Sequence, residues 1–499
     1  MSDMAERRPA DNAGKAARSG IWYVISNVMI RAVGIITAPI YTRLLTTAET
    51  GYANNFNNYV SIFYVITGLC LIYSVGRAKL DFSGGSESAS GEDNALKGSM
   101  GAGGSGFDAY MSAIQGLSSL FGVLILILVL LFTPANGMLG FEKPVVILLF
   151  AYLTLFPSID YMQYRLRFEY RYKENIAVSV FITVSTVLLS VGLILLMPED
   201  KGFAKILGTV IPSAFVALIC YIVLMYRGRC MVNIKYWKYA LIIGLPMIPH
   251  GLAMILLARI DVSMIQKLCD YSAVGLYTSG YTIGSLLMFI TNAVGNAWIP
   301  LFNERLDAGD TASIRRDNRI LMEAGCFMTL CFIAVAPEMI KLLYAKPYWE
   351  SMRVVAPVAL GTLCQYFYTN YVNAELFYKK TAYIAVNSCI AAVINVILNY
   401  IFIRSFGYIA AAYTTLAGYL FLLAVHMLLV KRMGFGKAFS YGYVAGTVAV
   451  MMAVTLLVNY LYTNIMVRII VFGVLIAALL VAMYIKRDVM KPLVRKVIK

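Results

Sequence analysis

The chain has 499 residues, of which 60% are hydrophobic and only 14% charged, and its mean hydropathy is +0.74. A soluble domain is near half apolar and a quarter charged, so this composition excludes an ordinary soluble enzyme or binding module and points to an all-α polytopic membrane protein. The net charge of +16 would suit a nucleic-acid partner, but its placement along the chain argues otherwise.

Residues 1–19 are polar and carry Arg7, Arg8, Lys15 and Arg18. The apolar run from Gly20 to about Leu45 is too long for a signal h-region and is followed by no small-residue cleavage site. It reads as a retained first span behind a cytoplasmic tail. Fourteen segments reach the ~20 apolar residues that a crossing helix needs: 20–44, 50–76, 109–133, 144–166, 174–197, 203–226, 239–265, 273–301, 318–344, 353–377, 381–404, 407–430, 440–462 and 466–485. With the N-terminus inside, the cytoplasmic tails and loops hold 30 Lys and Arg, the opposite loops hold 10, and Arg31 and Arg259 lie within spans. That bias is the positive-inside pattern, with both termini cytoplasmic, and it turns the excess charge toward anionic head groups rather than nucleic acid. All four tryptophans, Trp22, Trp237, Trp298 and Trp349, fall near expected helix ends, where an interfacial aromatic belt sits.

"RLLTTAETGY" (43–52) and "KLCDYSAVGL" (267–276) align at a shift of 224 residues, each closing one long span and opening the next. The shift divides twelve spans into two six-span lobes of equal orientation, the layout of parallel transporter repeats around a central site. The expected organisation is a cytoplasmic tail (1–19), an N-lobe (20–226), a cytoplasmic linker (227–238), a C-lobe (239–430), two further spans (431–485) and a cytoplasmic tail (486–499).

In the first span Asn27, Arg31 and Gly34 share one helical face. A central Arg costs ~2.5–3.5 kcal/mol on insertion scales, so Arg31 is expected to face a cavity or an ion-pair partner. The second span presents Asn54, Asn58 and Ser61 on one face. Residues 83–106, "SGGSESASGEDNALKGSMGAGGSG", have the composition of a flexible linker. The fourth span carries Asp160, followed by Arg165, Arg167, Arg171 and Lys173; this cluster suits positive-inside anchoring or the docking of an anionic lipid head group.

The seventh span holds Pro246, Pro249 and His250, and two prolines within one turn kink a helix, either as a fixed bend or as a gate. Further along it reads "ILLARIDVSMIQ" (255–266). Arg259 and Asp261 are two residues apart, about 200° around a helix, so they do not neutralise each other. Arg259 is expected to face the same cavity as Arg31. Asp261, like Asp160, is either an ion-coupling acid or a structural acceptor. Polar stripes recur at Tyr281, Ser285, Asn292 and Asn296 in the eighth span and at Gln365, Thr369 and Asn373 in the tenth. Such stripes glue helices together or line a wet cavity. The eight cysteines form no CxxC and lie mostly in apolar runs, which reads as packing; no metal site or cofactor is expected.

Three stretches carry a resemblance. Residues 247–302, with their Pro-rich helix start, "RID" (259–261), "VGLY" (274–277) and "AWIPLF" (297–302), resemble the seventh and eighth spans of Wzx-type polysaccharide flippases, which belong to the MATE-like flippase superfamily. "RLRFEYRYKENI" (165–176) resembles the loop after that family's fourth span, and residues 19–56 resemble its first span and turn. The 83–106 stretch departs from the family, in which "RAKLDF" (77–82) often runs almost directly into "FDAYMSAI" (107–114).

The resemblance implies a bacterial inner-membrane transporter for O-antigen or capsule repeat units, which moves an undecaprenyl-diphosphate-linked oligosaccharide from the inner to the outer leaflet by alternating access, coupled to a proton or sodium gradient or to membrane potential. It implies diphosphate contacts at Arg31 and Arg259 and partner proteins of polysaccharide synthesis. A multidrug cation antiporter of the same superfamily would need more intramembrane acid than Asp160 and Asp261, and a peptidoglycan-precursor flippase stays open. A membrane polymerase or ligase would need a large outer loop with paired catalytic residues, and neither is present in the sequence.

Overall fold

The computed structural model describes residues 33–82, 106–169, 171–378, 380–434, 438–460 and scattered positions up to 477. After a helical stretch at 33–44, the helices are α1 (Thr47–Thr67), α2 (Ile72–Phe82), α3 (Gly106–Phe132), α4 (Lys143–Leu155), α5 (Pro157–Phe168), α6 (Tyr172–Leu196), α7 (Lys201–Gly228) and α8 (Ile234–Gly244). They continue as α9 (Met247–Leu268), α10 (Tyr271–Gly284), α11 (Leu287–Asp307), α12 (Thr311–Leu343), α13 (Met352–Phe377), α14 (Thr381–Phe406), α15 (Ile409–Arg432) and α16 (Tyr441–Tyr460). The only β pairing among the described residues is an isolated bridge between Met138 and Phe141, which closes the α3–α4 turn.

Nine helices among the described residues are long and apolar enough to cross a membrane, and up to eleven spans result if each of two bent pairs counts as one. The chain is a multi-pass membrane protein. The bent pairs occupy the second and seventh expected spans. The tenth is α13, a 26-residue helix whose Arg353, Gln365, Asn370, Asn373 and Glu375 dilute its hydropathy. The first and last expected spans fall wholly or partly outside the described residues.

Local chemistry sets the helix ends. Glu49 N–H donates to Thr46 Oγ1 at 3.2 Å and Thr46 N–H to Glu49 Oε2 at 2.7 Å, a capping box that opens α1. Asp200, Asn233, Asp270 and Asp310 accept backbone N–H bonds at the starts of α7, α8, α10 and α12. The break between α1 and α2 passes through Leu69 and Cys70 at φ 50° and 51°, in the left-handed region, and turns the chain by 52°. This break packs against the end of α8. A Cβ on Gly244 would lie 2.7 Å from the Leu69 carbonyl oxygen, so the close approach requires glycine.

The chain forms two compact units, Met1–Arg259 and Ile260–Lys499. Their boundary lies inside α9, later than the linker expected at 227–238. The reason is packing: Tyr236 and Ala240 of α8 share a core with Leu71, Tyr110 and Tyr161, so α8 belongs to the first unit. In that unit α2 runs to Phe82, past the expected helix end, and a Cβ on Gly106 would sit 2.9 Å from the Phe82 carbonyl. The points where the 83–105 stretch leaves and rejoins the fold therefore adjoin. The stretch itself lies outside the described residues.

Helix α6 packs chiefly on α7, and Gly208 makes the contact: a Cβ there would lie 2.3 Å from Ser190 Cα. Small residues let helices approach in lipid, where apolar surface alone does not drive them together. The rest of α6 is open, with Leu188 69% and Leu196 78% exposed, as suits a helix solvated by hydrocarbon. In the second unit α13 and α15 form the most extensive contact, with Leu360, Leu363 and Phe367 set against Leu416 and Leu423.

Candidate functional site

The first unit holds its buried polar groups in small sets. Tyr64 donates to Asp160 Oδ2 at 2.6 Å, joining α1 to α5. Tyr110 donates to Ser74, and Ser118 bonds Tyr161 at 2.7 Å. Arg165 is buried: its Nη2 lies 2.5 Å from Asp108 and its Nε donates to Glu169 at 2.8 Å. It is thus an internal ion-pair centre, and neither the anchoring nor the docking expected of the basic cluster applies to it. Arg167, Arg171 and Lys173 do not share its burial.

In the second unit Asp261 is 1% exposed on α9. The Tyr277 hydroxyl of α10 donates to its Oδ2, Thr415 of α15 approaches the same oxygen at 3.4 Å, and the Val262 N–H donates to Oδ1 at 2.9 Å. The network continues: Asn395 Nδ2 donates to Thr415 at 3.4 Å, Asn399 Nδ2 to Asn395 at 3.0 Å, and Thr414 to Asn399 Oδ1. Every member is nine-tenths or more buried. The Asp261 carboxylate is thus held among hydroxyl and amide side chains of α10, α14 and α15. Beside it, Tyr281, Ser285, Thr362, Gln365, Thr415 and Tyr419 line a recess with about 10 Å³ of water-accessible space, room for about one water.

The structure brings together only part of the expected cavity lining. Tyr281, Ser285 and Gln365 share the recess. Thr369 donates its hydroxyl to the Gln365 carbonyl at 2.8 Å, and Asn373 is buried further along α13, so neither reaches it. Asn292 is exposed on α11. Asn54 is half-buried and Asn58 buried on α1, and Ser61 donates to the Asn57 carbonyl at 3.0 Å. Arg259 is exposed, while Asp261 two residues on is buried; the spacing turns the two to different surroundings. Pro246 and Pro249 are exposed on either side of the start of α9, and the helix bends by a further 48° past Ala253. Asn27 and Arg31 lie outside the described residues, as do the side chains of His250 and Asn296.

Tyr277, Asn395, Asn399, Thr414 and Thr415 went unnoticed in the sequence, as did the buried pair Glu375–His426. The Asn395–Asn399 spacing of one turn and the single acid of the tenth span, Glu375, were the available signals.

Residues 103–305 match the profile of the polysaccharide biosynthesis protein family. The resemblance to the polysaccharide flippases is borne out. Solved structures share the fold: the lipid II flippase MurJ in an inward closed conformation (TM-score 0.64, 13% identity, 94% of this chain and 100% of that one), and a multidrug-resistance MATE transporter of the MOP superfamily facing inward (0.55, 13%, 82% and 94%). A third is a MOP superfamily transporter from Pyrococcus furiosus whose binding pocket is described as reversed in polarity (0.53, 15%, 85% and 96%). No curated protein matches in sequence. The chain therefore has the fold shared by these flippase and multidrug-transporter structures.

Proposed function

We propose that this polysaccharide-flippase relative moves an undecaprenyl-diphosphate-linked oligosaccharide from the inner to the outer leaflet of the bacterial plasma membrane, with both termini cytoplasmic. The family match over 103–305, set on a flippase fold, is the observation that carries the reading. Arg31 and the exposed Arg259 serve as diphosphate contacts, since guanidinium forks suit phosphate oxygens. Asn27, Asn54, Asn58, Ser61, Tyr281, Ser285, Asn292 and Gln365 supply polar contacts for sugars, and Pro246 and Pro249 supply the bend by which the site opens and closes. Asp261 is the coupling acid, supported by its burial among Tyr277 and Thr415. Asp160, held by Tyr64, is structural. A drug-cation antiporter is less well supported, because Asp261 is enclosed.

The test is flipping of a fluorescent undecaprenyl-diphosphate disaccharide in proteoliposomes under an imposed pH gradient. Wild type is expected to flip it, Arg31→Ala and Arg259→Ala to lose affinity for it, and Asp261→Asn to lose gradient dependence. Normal transport by both arginine variants refutes the diphosphate assignment.

A further inference from the structure

Within the second unit, α13 and α15 carry a buried acid–base pair that the proposed substrate path leaves unused. His426 Nδ1 lies 2.8 Å from Glu375 Oε1, and both side chains are 1% exposed. The other carboxylate oxygen, Glu375 Oε2, is buried with no hydrogen-bond partner among the described residues. As a stability device this is poor: a buried ion pair with an unsatisfied oxygen is often no better than an apolar contact. A site that gains and loses a proton explains both its chemistry and its open valence.

The pair also lies along the same helix as the polar recess. Thr415, Tyr419, Leu422 and His426 follow one face of α15 at helical spacing. Thr415 reaches Asp261, and Thr415 and Tyr419 both line the polar recess with Tyr281, Ser285 and Gln365. The Tyr419 ring stacks on Tyr368 at 6.4 Å, and Tyr368 stacks on His426 at 5.8 Å. From Thr415 to His426 is eleven residues, about 16 Å of helix. The far end is close to an exit: α13 ends at Phe377, two residues past Glu375, and Leu376 and Tyr378 are exposed.

The titratable groups on the packed elements are engaged elsewhere. On α12, Glu323 pairs with Arg319 and accepts from Tyr443 of α16. Arg305 of α11 pairs with Asp317 of α12, and Asp307 lies within electrostatic reach of Tyr378. Lys431 of α15 sits over the Tyr441 ring, and Lys380, before α14, meets Glu375 through its backbone N–H. The rings of Tyr277 and Tyr281 of α10 lie against each other, and the Tyr277 hydroxyl donates to Asp261.

We infer that the buried Glu375–His426 pair is a second proton-binding site of the second unit, separate from Asp261, which exchanges its proton with water at the end of α13. The transport arm of its test rests on the flippase reading. The proton arriving at the pair converts neutral His426 to its cation or the Glu375 carboxylate to the acid, and departs to water at the end of α13.

The chain has only two histidines, His250 and His426, so selectively ¹³C-labelled histidine in lipid nanodiscs gives two signals, and His250→Gln assigns them. The His426 signal is expected to respond to pH, and Glu375→Gln to alter that response. In proteoliposomes carrying the fluorescent undecaprenyl-diphosphate disaccharide, His426→Gln and Glu375→Gln are each expected to cut stimulation by a pH gradient about tenfold. Glu375→Gln, which preserves size, keeps the test readable if His426→Gln does not fold. A His426 signal that stays fixed, or gradient stimulation unchanged in both variants while wild type is stimulated, overturns the proposal. If wild type does not flip the substrate at all, the flippase reading fails instead, and the titration alone decides the proton site.

Discussion

Arg165→Met removes the cation from a cluster that joins α3 to α5. The guanidinium lies 2.5 Å from Asp108 and 2.8 Å from Glu169, with side-chain exposures of 6%, 18% and 20% in that order. Removing one partner of a buried pair costs about 3–5 kcal/mol, because the carboxylates stay behind without compensation. Both acids keep a fifth of their surface open, so the lower end applies, about 3 kcal/mol. At about 2–4 °C per kcal/mol for a body of this size, the melting temperature should fall by roughly 6–12 °C. Tryptophan fluorescence during thermal unfolding in detergent measures it. The control is Arg171→Met: Arg171 is 41% exposed, and an exposed pair contributes about 0–1 kcal/mol. Adding Asp108→Asn and Glu169→Gln to Arg165→Met should recover part of the loss. An Arg165 variant that melts with the Arg171 variant refutes the buried-pair account and returns Arg165 to the surface cluster.

Gly208→Ala should lower the melting temperature by an amount equivalent to about 1–3 kcal/mol, since the new Cβ falls 2.3 Å from Ser190; Gly192→Ala on α6, with nothing within 4 Å, should change little, and equal melting of the two counts against the tight α6–α7 contact. Burial pushes the Asp317 carboxyl up, but hydrogen bonds from Arg305 and Arg316 outweigh it and hold it below its ordinary 3.8. A depressed acid stabilises the fold fully above its unfolded value and loses that contribution as the pH falls through its folded one. Melting of wild type should therefore drop below pH 3.8 by more than melting of Asp317→Asn, and parallel acid limbs would show that the Arg305–Asp317 link contributes nothing.

The sequence makes the crossing helices legible because a span is a local property, a run of apolar residues long enough for the bilayer. It makes the breaks less legible. The Pro246–Pro249 pair signals the bend in the seventh span, but nothing at Leu69 and Cys70 announces a left-handed turn, and the strain there is held by packing against Gly244. Polar partners are harder again. Asp261 stands out as a charge in an apolar run, yet Thr415 is 154 residues away, and His426 is 51 residues from Glu375. Which helix faces meet is decided by packing that leaves no periodic trace. Arg165 shows the converse error: its basic neighbours make it look like a surface charge, while Asp108, on another helix, draws it inside.

The two units also differ in how they use polarity. In the first, the described buried polar groups meet in small sets: Tyr64 with Asp160, Ser118 with Tyr161, Tyr110 with Ser74, and Arg165 with Asp108 and Glu169, the last of which also meets Arg171. Such sets fix one helix against another, which is what interhelical hydrogen bonds do in lipid. In the second, one member hands on to the next from Tyr277 through Asp261, Thr415, Asn395 and Asn399 to Thr414. Both arrangements hold helices together, and the longer one, buried throughout, also specifies how α9, α10, α14 and α15 meet.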